Sequence, residues 1–175
     1  MPSRVREERP RDYDAIEEIT RRAFGGEEEV RLVRNLRRDG DLVLSLVSET
    51  SATVVGHIGF SRMFIDTSLR LIPALALAPV AVDPDYQNRG IGSSLIKTGL
   101  DRCVAAGERI VFVLGHPKYY PRFGFSVEAA STIENPFNAP AAWMALELSP
   151  GALKEISGRA RYANAFALPP EWTAR

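Results

Sequence analysis

The chain of 175 residues holds a single cysteine, Cys103, so no internal disulfide can staple it. It has two histidines, His57 and His116, and no cluster of residues at metal-ligand spacing, so no resident metal is expected. Charge of one sign is not in excess. The 22 basic residues balance 22 acidic ones, which excludes a global field that would draw the chain to nucleic acid or to an anionic membrane. Long hydrophobic runs are also missing. The longest, residues 71–82, falls short of the roughly 20 needed to cross a bilayer and is broken by Pro73 and Pro79, so it reads as a buried strand. No secretory leader, internal repeat or low-complexity tract is read, and one soluble, cytoplasmic domain over residues 1–175 is expected.

Residues 5–9 suit a short strand, and Asp12 is placed to N-cap a helix carrying Tyr13, Ile16, Ile19 and Ala23 on one face. Gly25 and Gly26 end that helix. A second helix runs from about Glu27 with Val30, Val33 and Leu36 on one face, and Gly40 suits its C-terminal stop. Residues 42–47 alternate, a polar turn follows at 50–53, and residues 54–65 form the return strand of an antiparallel hairpin. After the apolar strand ending at Val82, the stripe Ile91, Leu95, Ile96, Leu100 and Cys103 marks a helix that stops at Gly107, and residues 110–114 form the next strand. Strand, helix and strand in that order favour a right-handed parallel crossover, so the fold class is α/β with a mixed sheet. Residues 143–148 and 162–168 are expected to close the sheet, within a C-terminal segment of about residues 127–170.

The most informative segment is Val80-Ala81-Val82-Asp83-Pro84-Asp85-Tyr86-Gln87-Asn88-Arg89-Gly90-Ile91-Gly92-Ser93: a strand, a polar turn, two spaced glycines and a helix start. Glycines at 90 and 92 lack the Cβ atoms that would hold a phosphate away from the first-turn N–H groups and the positive end of the helix dipole. Arg89 adds a charge that can strengthen such binding. Taken alone, the glycine pair serves tight strand-to-helix packing equally well. Neither the P-loop pattern nor the dinucleotide fingerprint is present, so kinase and dehydrogenase readings fall back.

Gln87-Asn88-Arg89-Gly90-Ile91-Gly92 resembles the Gln/Arg-x-x-Gly-x-Gly/Ala signature of the GNAT superfamily of N-acetyltransferases, and the preceding Val80-Ala81-Val82-Asp83-Pro84 also matches. Tyr119-Tyr120-Pro121-Arg122-Phe123-Gly124-Phe125 is similar to that family's later Tyr-x-x-x-Gly-Phe segment. The likeness covers residues 5–125 and is closest to the YhbS-like subgroup over residues 113–125. It implies a GNAT-like fold: a central, mostly antiparallel mixed sheet with a parallel pair splayed at the cofactor cleft, flanked by about four helices, with the core over residues 3–126. It also implies acetyl-CoA as acetyl donor. The pantetheine arm would lie along Val80, Ala81 and Val82, and the pyrophosphate on Gln87, Asn88, Arg89, Gly90, Ile91, Gly92 and Ser93, with Tyr120 beside the cofactor as general acid.

Acyl transfer from a thioester to an amine needs a neutral amine, a stabilised oxyanion and a proton for the leaving thiolate. A backbone amide near residues 80–82 would face the oxyanion, and Pro79, which has no N–H, interrupts the ladder where pantetheine would insert. A phenol of reference pKa ~10 can supply the proton to a thiolate of about 8.5. Pro121 is a departure from the family pattern because it discourages helical geometry at Tyr120, so Tyr119 is a substitute candidate. His57, His116 or water remain open as the base, and Cys103 reads as packing. The acceptor is an amine of a small molecule or peptide; no nucleic acid or membrane partner is expected, and a homodimer is compatible with the reading. A coenzyme A sensor without catalysis, a transferase of longer acyl chains, and a protein-binding aromatic tail are the alternatives.

Overall fold

The chain is described from a computed structural model covering residues 2–174, and it forms two compact units. The first comprises the chain up to Phe60 together with Ala78–Arg102; the second comprises Ser61–Leu77 and the chain from Cys103 onward.

In the first unit, strand β1 (Arg4–Glu7) pairs antiparallel with β2 (Leu42–Thr50), Arg4 opposite Glu49 and Glu7 opposite Leu46. Between them lie helices α1 (Tyr13–Phe24) and α2 (Glu28–Asp39), whose apolar positions recur every three to four residues and bury Ile16, Ile19, Val30, Val33 and Leu36. Each ends on a glycine in the left-handed region, Gly25 at φ 79° and Gly40 at φ 77°, a conformation that side-chain-free residues adopt without Cβ strain. Asp12 departs from the expected capping role. Its side chain makes no cap bond to α1 but accepts from Arg6 Nη1 at 2.7 Å, Arg6 Nη2 at 3.0 Å and the Arg9 amide at 2.7 Å. The buried guanidinium is the stronger donor, and its fork holds the Asp12 carboxyl below the usual range.

A two-residue turn at Ser51 and Ala52, both left-handed, links β2 to β3 (Thr53–Asp66). Strand β4 (Leu71–Val82) follows, giving the order β1-β2-β3-β4. Helix α3 (Ile91–Ala105) lies close upon β3, as two glycines show. A Cβ on Gly56 would sit 3.0 Å from both Ile91 Cγ2 and Leu95 Cδ1, and one on Gly99 would sit 2.5 Å from Phe60 Cε2.

In the second unit the strand order is β3-β4-β5-β7, where β5 spans Ile110–Leu114 and β7 spans Trp143–Glu147. Strand β5 runs parallel to β4 at Leu75↔Val111 and Ala76↔Phe112, and antiparallel to β7. The mixed sheet and the strand–helix–strand crossover of the sequence reading are therefore present. A short helix α4 (Val127–Ala130), capped by Ser126 Oγ, completes the four helices that the resemblance implied, and with strand β6 (Ile133–Glu134) it precedes β7 where the sequence pattern places no element. Trp143 stacks on Phe112 with ring centroids 4.9 Å apart and donates from its indole to the Ile133 carbonyl at 3.1 Å, so its one polar atom is satisfied in the core.

The expected strand over residues 162–168 is not there. The last strand, β8 (Gly158–Arg161), ends earlier and pairs with β3 and β6. Tyr162 makes only an isolated bridge to Thr173, and Asn164–Phe166 forms a 3-10 turn. Tyr162 and Phe166 pack with ring centroids 4.8 Å apart across this turn.

Candidate active site

The two motif segments fall one in each unit and are described separately. In the first unit, β4 delivers Val80, Ala81 and Val82, the outer two half-buried and Ala81 buried, into a compact turn. The Asp83 amide donates to the Val55 carbonyl at 2.9 Å, anchoring the strand end. The Asp83 carboxylate then accepts from the Asp85 amide at 2.9 Å and caps a single 3-10 turn, Pro84–Tyr86. Gln87 Nε2 donates to the Val82 carbonyl at 3.1 Å, so that side chain braces the turn from within.

Asn88 and Gly90 both adopt positive φ, 60° and 79°, on either side of Arg89. These reversals swing the chain directly into α3, whose first bond runs from the Ser94 amide to the Gly90 carbonyl at 3.0 Å. The amides that open the helix have no carbonyl partner within it and carry the positive end of its dipole. Where a Cβ on Gly90 would stand, no described heavy atom outside residues 89–91 lies within 4 Å. Residues 87–90 are exposed, Ile91 is buried, and Gly92 and Ser93 are half-buried. The turn is thus exposed and open at Gly90, and Ile91 fastens it to the core.

Arg89 does not stand free above it. Its Nη2 donates to the Asp85 carbonyl at 3.1 Å, and its guanidinium lies 5.2 Å from the Tyr86 ring centroid, so its charge is held within the turn. A second cation, missed in the sequence, joins it: Arg22 at the end of α1 donates to Asp83 Oδ2 at 2.7 Å and to Asp85 Oδ2 at 3.2 Å. The pairing spans more than 60 residues, so no local pattern announces it.

His57 lies on β3 and is fully buried. Its Nε2 is 2.7 Å from Ser45 Oγ, which donates to Glu8 Oε1, while Arg37 forks onto Glu8 at 2.8 and 3.0 Å. Burial pushes the Glu8 carboxyl up, but His57, Arg37 and Ser45 more than offset this and hold it at about 2. Glu8 is therefore an acceptor only, Ser45 spends its hydrogen on Glu8, and His57 must present Nε2–H to Ser45. Burial lowers the His57 pKa and keeps the ring neutral. This is the hydrogen-bonded sheet histidine, with no exposed edge.

In the second unit, β5 runs into residues 115–125. Tyr120–Phe123 forms a 3-10 helix despite Pro121, contrary to the expected discouragement, because proline occupies the second position, where its missing N–H is not needed. Tyr120 is half-buried, with Phe125 edge-on at 5.8 Å and Tyr119 edge-on at 5.3 Å. Burial, with a smaller effect of Tyr119, pushes its phenol up to about 12, so it stays protonated at neutral pH. Tyr119 carries the Arg122 guanidinium 4.5 Å over its ring. His116 is exposed, and its Nδ1 accepts from the Lys118 amide at 3.2 Å. Cys103 is buried and its thiol is pushed up to about 12 by burial, which leaves it protonated and unreactive. Among the described residues no group of three or more His, Cys, Asp or Glu could hold a metal ion, and no helix is long and apolar enough to cross a membrane.

Residues 4–127 match the family profile described as the acetyltransferase (GNAT) domain. The chain belongs to the GNAT family of acetyltransferases. Among GNAT relatives, the uncharacterized N-acetyltransferase YhbS of Escherichia coli K12 is 32% identical over 93% of this chain and 97% of its own length. YjhQ of the same strain, also an uncharacterized N-acetyltransferase, is 41% identical over 65% of this chain and 64% of its own length, so the alignment spans less than two thirds of that relative. The GNAT fold is matched by the crystal structure of E. coli YhbS in complex with CoA, with a TM-score of 0.88 at 30% identity over 99% of this chain and 96% of that one. A GNAT acetyltransferase from Brucella melitensis in complex with acetyl-CoA gives a TM-score of 0.79 at 33% identity, covering 94% of this chain and 98% of that one.

Proposed function

We propose that this single acetyltransferase domain moves an acetyl group from acetyl-CoA to a primary amine by direct attack within a ternary complex. The observation that carries the reading is the turn at Asn88 and Gly90, two left-handed residues that open α3 toward unobstructed space. A pyrophosphate there would meet main-chain donors and a helix dipole at little steric cost. Val80, Ala81 and Val82 would run along the pantetheine arm, and Gln87, Asn88, Arg89, Gly90, Ile91, Gly92 and Ser93 would form the pyrophosphate cradle. The cradle suits the group in chemistry as well as shape, because Arg22 and Arg89 offset the acidic Asp83 and Asp85 beside it.

The neutral amine attacks the thioester carbonyl, a C–N bond forms, and a β4 amide near residues 80–82 stabilises the oxyanion. As the C–S bond breaks, Tyr120 donates its hydrogen to the sulfur, and its phenolate recovers a proton originating on the amine nitrogen. Burial raises the phenol to about 12, so it enters this step protonated. Products are an acetamide and coenzyme A, with atoms and charge balanced. Water serves as the base, since His57 is sealed and His116 has one ring nitrogen engaged.

The test is calorimetry with acetyl-CoA followed by a free-thiol release screen over an amine panel. Binding with release supports the transferase; binding without release assigns a CoA sensor, and absence of binding removes the cradle. On a responsive amine, Tyr120→Phe is expected to lower turnover by ~100-fold with CoA affinity retained, the scale of a lost general acid. An unchanged rate would remove Tyr120 from the chemistry.

A further inference from the structure

We infer that Gly115 and His116 form a seat that positions Tyr120; this rests on the general-acid reading of Tyr120 above. The first observation is steric. A Cβ built on Gly115 would stand 2.2 Å from Tyr120 Cε2, 2.6 Å from Cδ2 and 3.1 Å from Cζ, so the ring lies directly against the glycine backbone. No side chain at 115 leaves the ring where it is. Gly115 has no positive φ among the described glycines, so the ring, and not the backbone conformation, is what a side chain there would conflict with. The aromatic neighbours narrow the escape: Tyr119, Phe123 and Phe125 lie 5.3, 6.3 and 5.8 Å from Tyr120, centroid to centroid.

The second observation concerns the main chain. The His116 carbonyl accepts from the Tyr119 amide at 3.0 Å and from the Tyr120 amide at 3.3 Å. The His116 Nδ1 accepts from the Lys118 amide at 3.2 Å, closing the loop between them. Gly115 itself is tied to β7's side of the unit by its amide, which donates to the Ala142 carbonyl at 3.0 Å. Three amides after the glycine are thereby folded back onto one residue, and the tyrosine ring is returned over position 115. In this arrangement His116 acts through an acceptor nitrogen, a task that an Asn Oδ1 performs equally well in the equivalent turn. Gly115 and His116 are positioning residues; neither exchanges a proton with substrate.

The experiment is a double-mutant cycle on acetyl transfer with Tyr120→Phe, Gly115→Ala, His116→Ala and His116→Asn, each checked for acetyl-CoA binding by calorimetry. Gly115→Ala is expected to lower kcat about 10-fold or more, the scale of an ångström-level displacement, with KM and CoA affinity little changed. Added to Tyr120→Phe it should cost almost nothing further, because the group it positions is gone. His116→Ala should slow turnover several-fold and His116→Asn restore it, with the pH profile unmoved. Equal losses from Gly115→Ala in both backgrounds, or a loss in His116→Asn matching His116→Ala, would overturn the seat while leaving Tyr120 as the acid. An unaffected Tyr120→Phe would instead sink the acid reading itself, and the seat with it. Should Gly115→Ala fail to fold, the histidine pair decides alone.

Discussion

Replacing Ser45 by alanine probes the buried Glu8–Ser45–His57 array with a change of a single oxygen. In the native chain the Ser45 hydroxyl sits 2.7 Å from His57 Nε2 and is the acceptor that satisfies it. Glu8 Oε1, 3.7 Å from Nε2, is too far to take over without movement. Alanine therefore strands an N–H in a fully buried ring whose Nδ1 has no hydrogen-bond partner among the described residues. Leaving one buried donor unmade costs about 1–3 kcal/mol, whereas Glu8 keeps its Arg37 fork. At about 2–4 °C per kcal/mol for a chain of this size, the melting temperature should fall by roughly 2–12 °C. Urea denaturation at pH 7.5 measures the free energy directly. A variant within about 0.5 kcal/mol of wild type would refute the hydroxyl's assigned role. The same array sets an acid limit. The folded pKa of His57 is depressed, so the unfolded chain binds the extra proton: its contribution is complete above the unfolded value of about 6.5 and is lost as pH falls through the lower folded value. Glu8, depressed to about 2, adds a second loss between its ordinary value of 4.5 and about 2. His57→Gln should flatten the first window and, by removing one of the bonds that lower Glu8, narrow the second, as read by melts across pH 2–8.

Two glycines give contrasting outcomes. Gly99→Ala places a methyl within 2.5 Å of the buried Phe60 ring, and this overpacking should cost about 1–3 kcal/mol in chemical denaturation; an unchanged midpoint would mean that α3 lies farther from β3 than described. Gly90→Ala meets no atom within 4 Å but must hold φ 79°, so it should cost about 1–2 kcal/mol through strain alone and weaken acetyl-CoA binding, measured by calorimetry, while a variant that binds as wild type would argue against phosphate approach at that face.

What the sequence disclosed followed from short-range chemistry. Gly25, Gly40 and Gly107 mark helix ends because a left-handed stop needs little beyond the residue itself, and Gly90 marks the turn into α3 for the same reason. Long-range partners were hidden. Asp12 sits where a cap belongs, yet its carboxylate is claimed by Arg6, and nothing local says that a buried guanidinium will outbid the helix amides. Arg22 reaches Asp83 and Asp85 across more than 60 residues, so no local pattern points to the pairing. Residues 162–168 failed differently: they alternate only moderately, and the chain turns there through a 3-10 stretch and a left-handed Ala167. Gly56 and Gly99, inside a strand and a helix, carry no turn signal, and they and Gly115 are each demanded by a ring or aliphatic side chain approaching from elsewhere.

The polypeptide passes between its two units at three peptide bonds, Phe60–Ser61, Leu77–Ala78 and Arg102–Cys103. Both long strands of the β3–β4 hairpin are therefore shared property, and neither unit can be isolated by trimming a terminus. Stopping the chain after Arg102 would leave residues 61–77 behind without β5 or β8 to pair with, a bare and sticky hairpin arm. Separating the first unit would require excising residues 61–77 and rejoining Phe60 to Ala78.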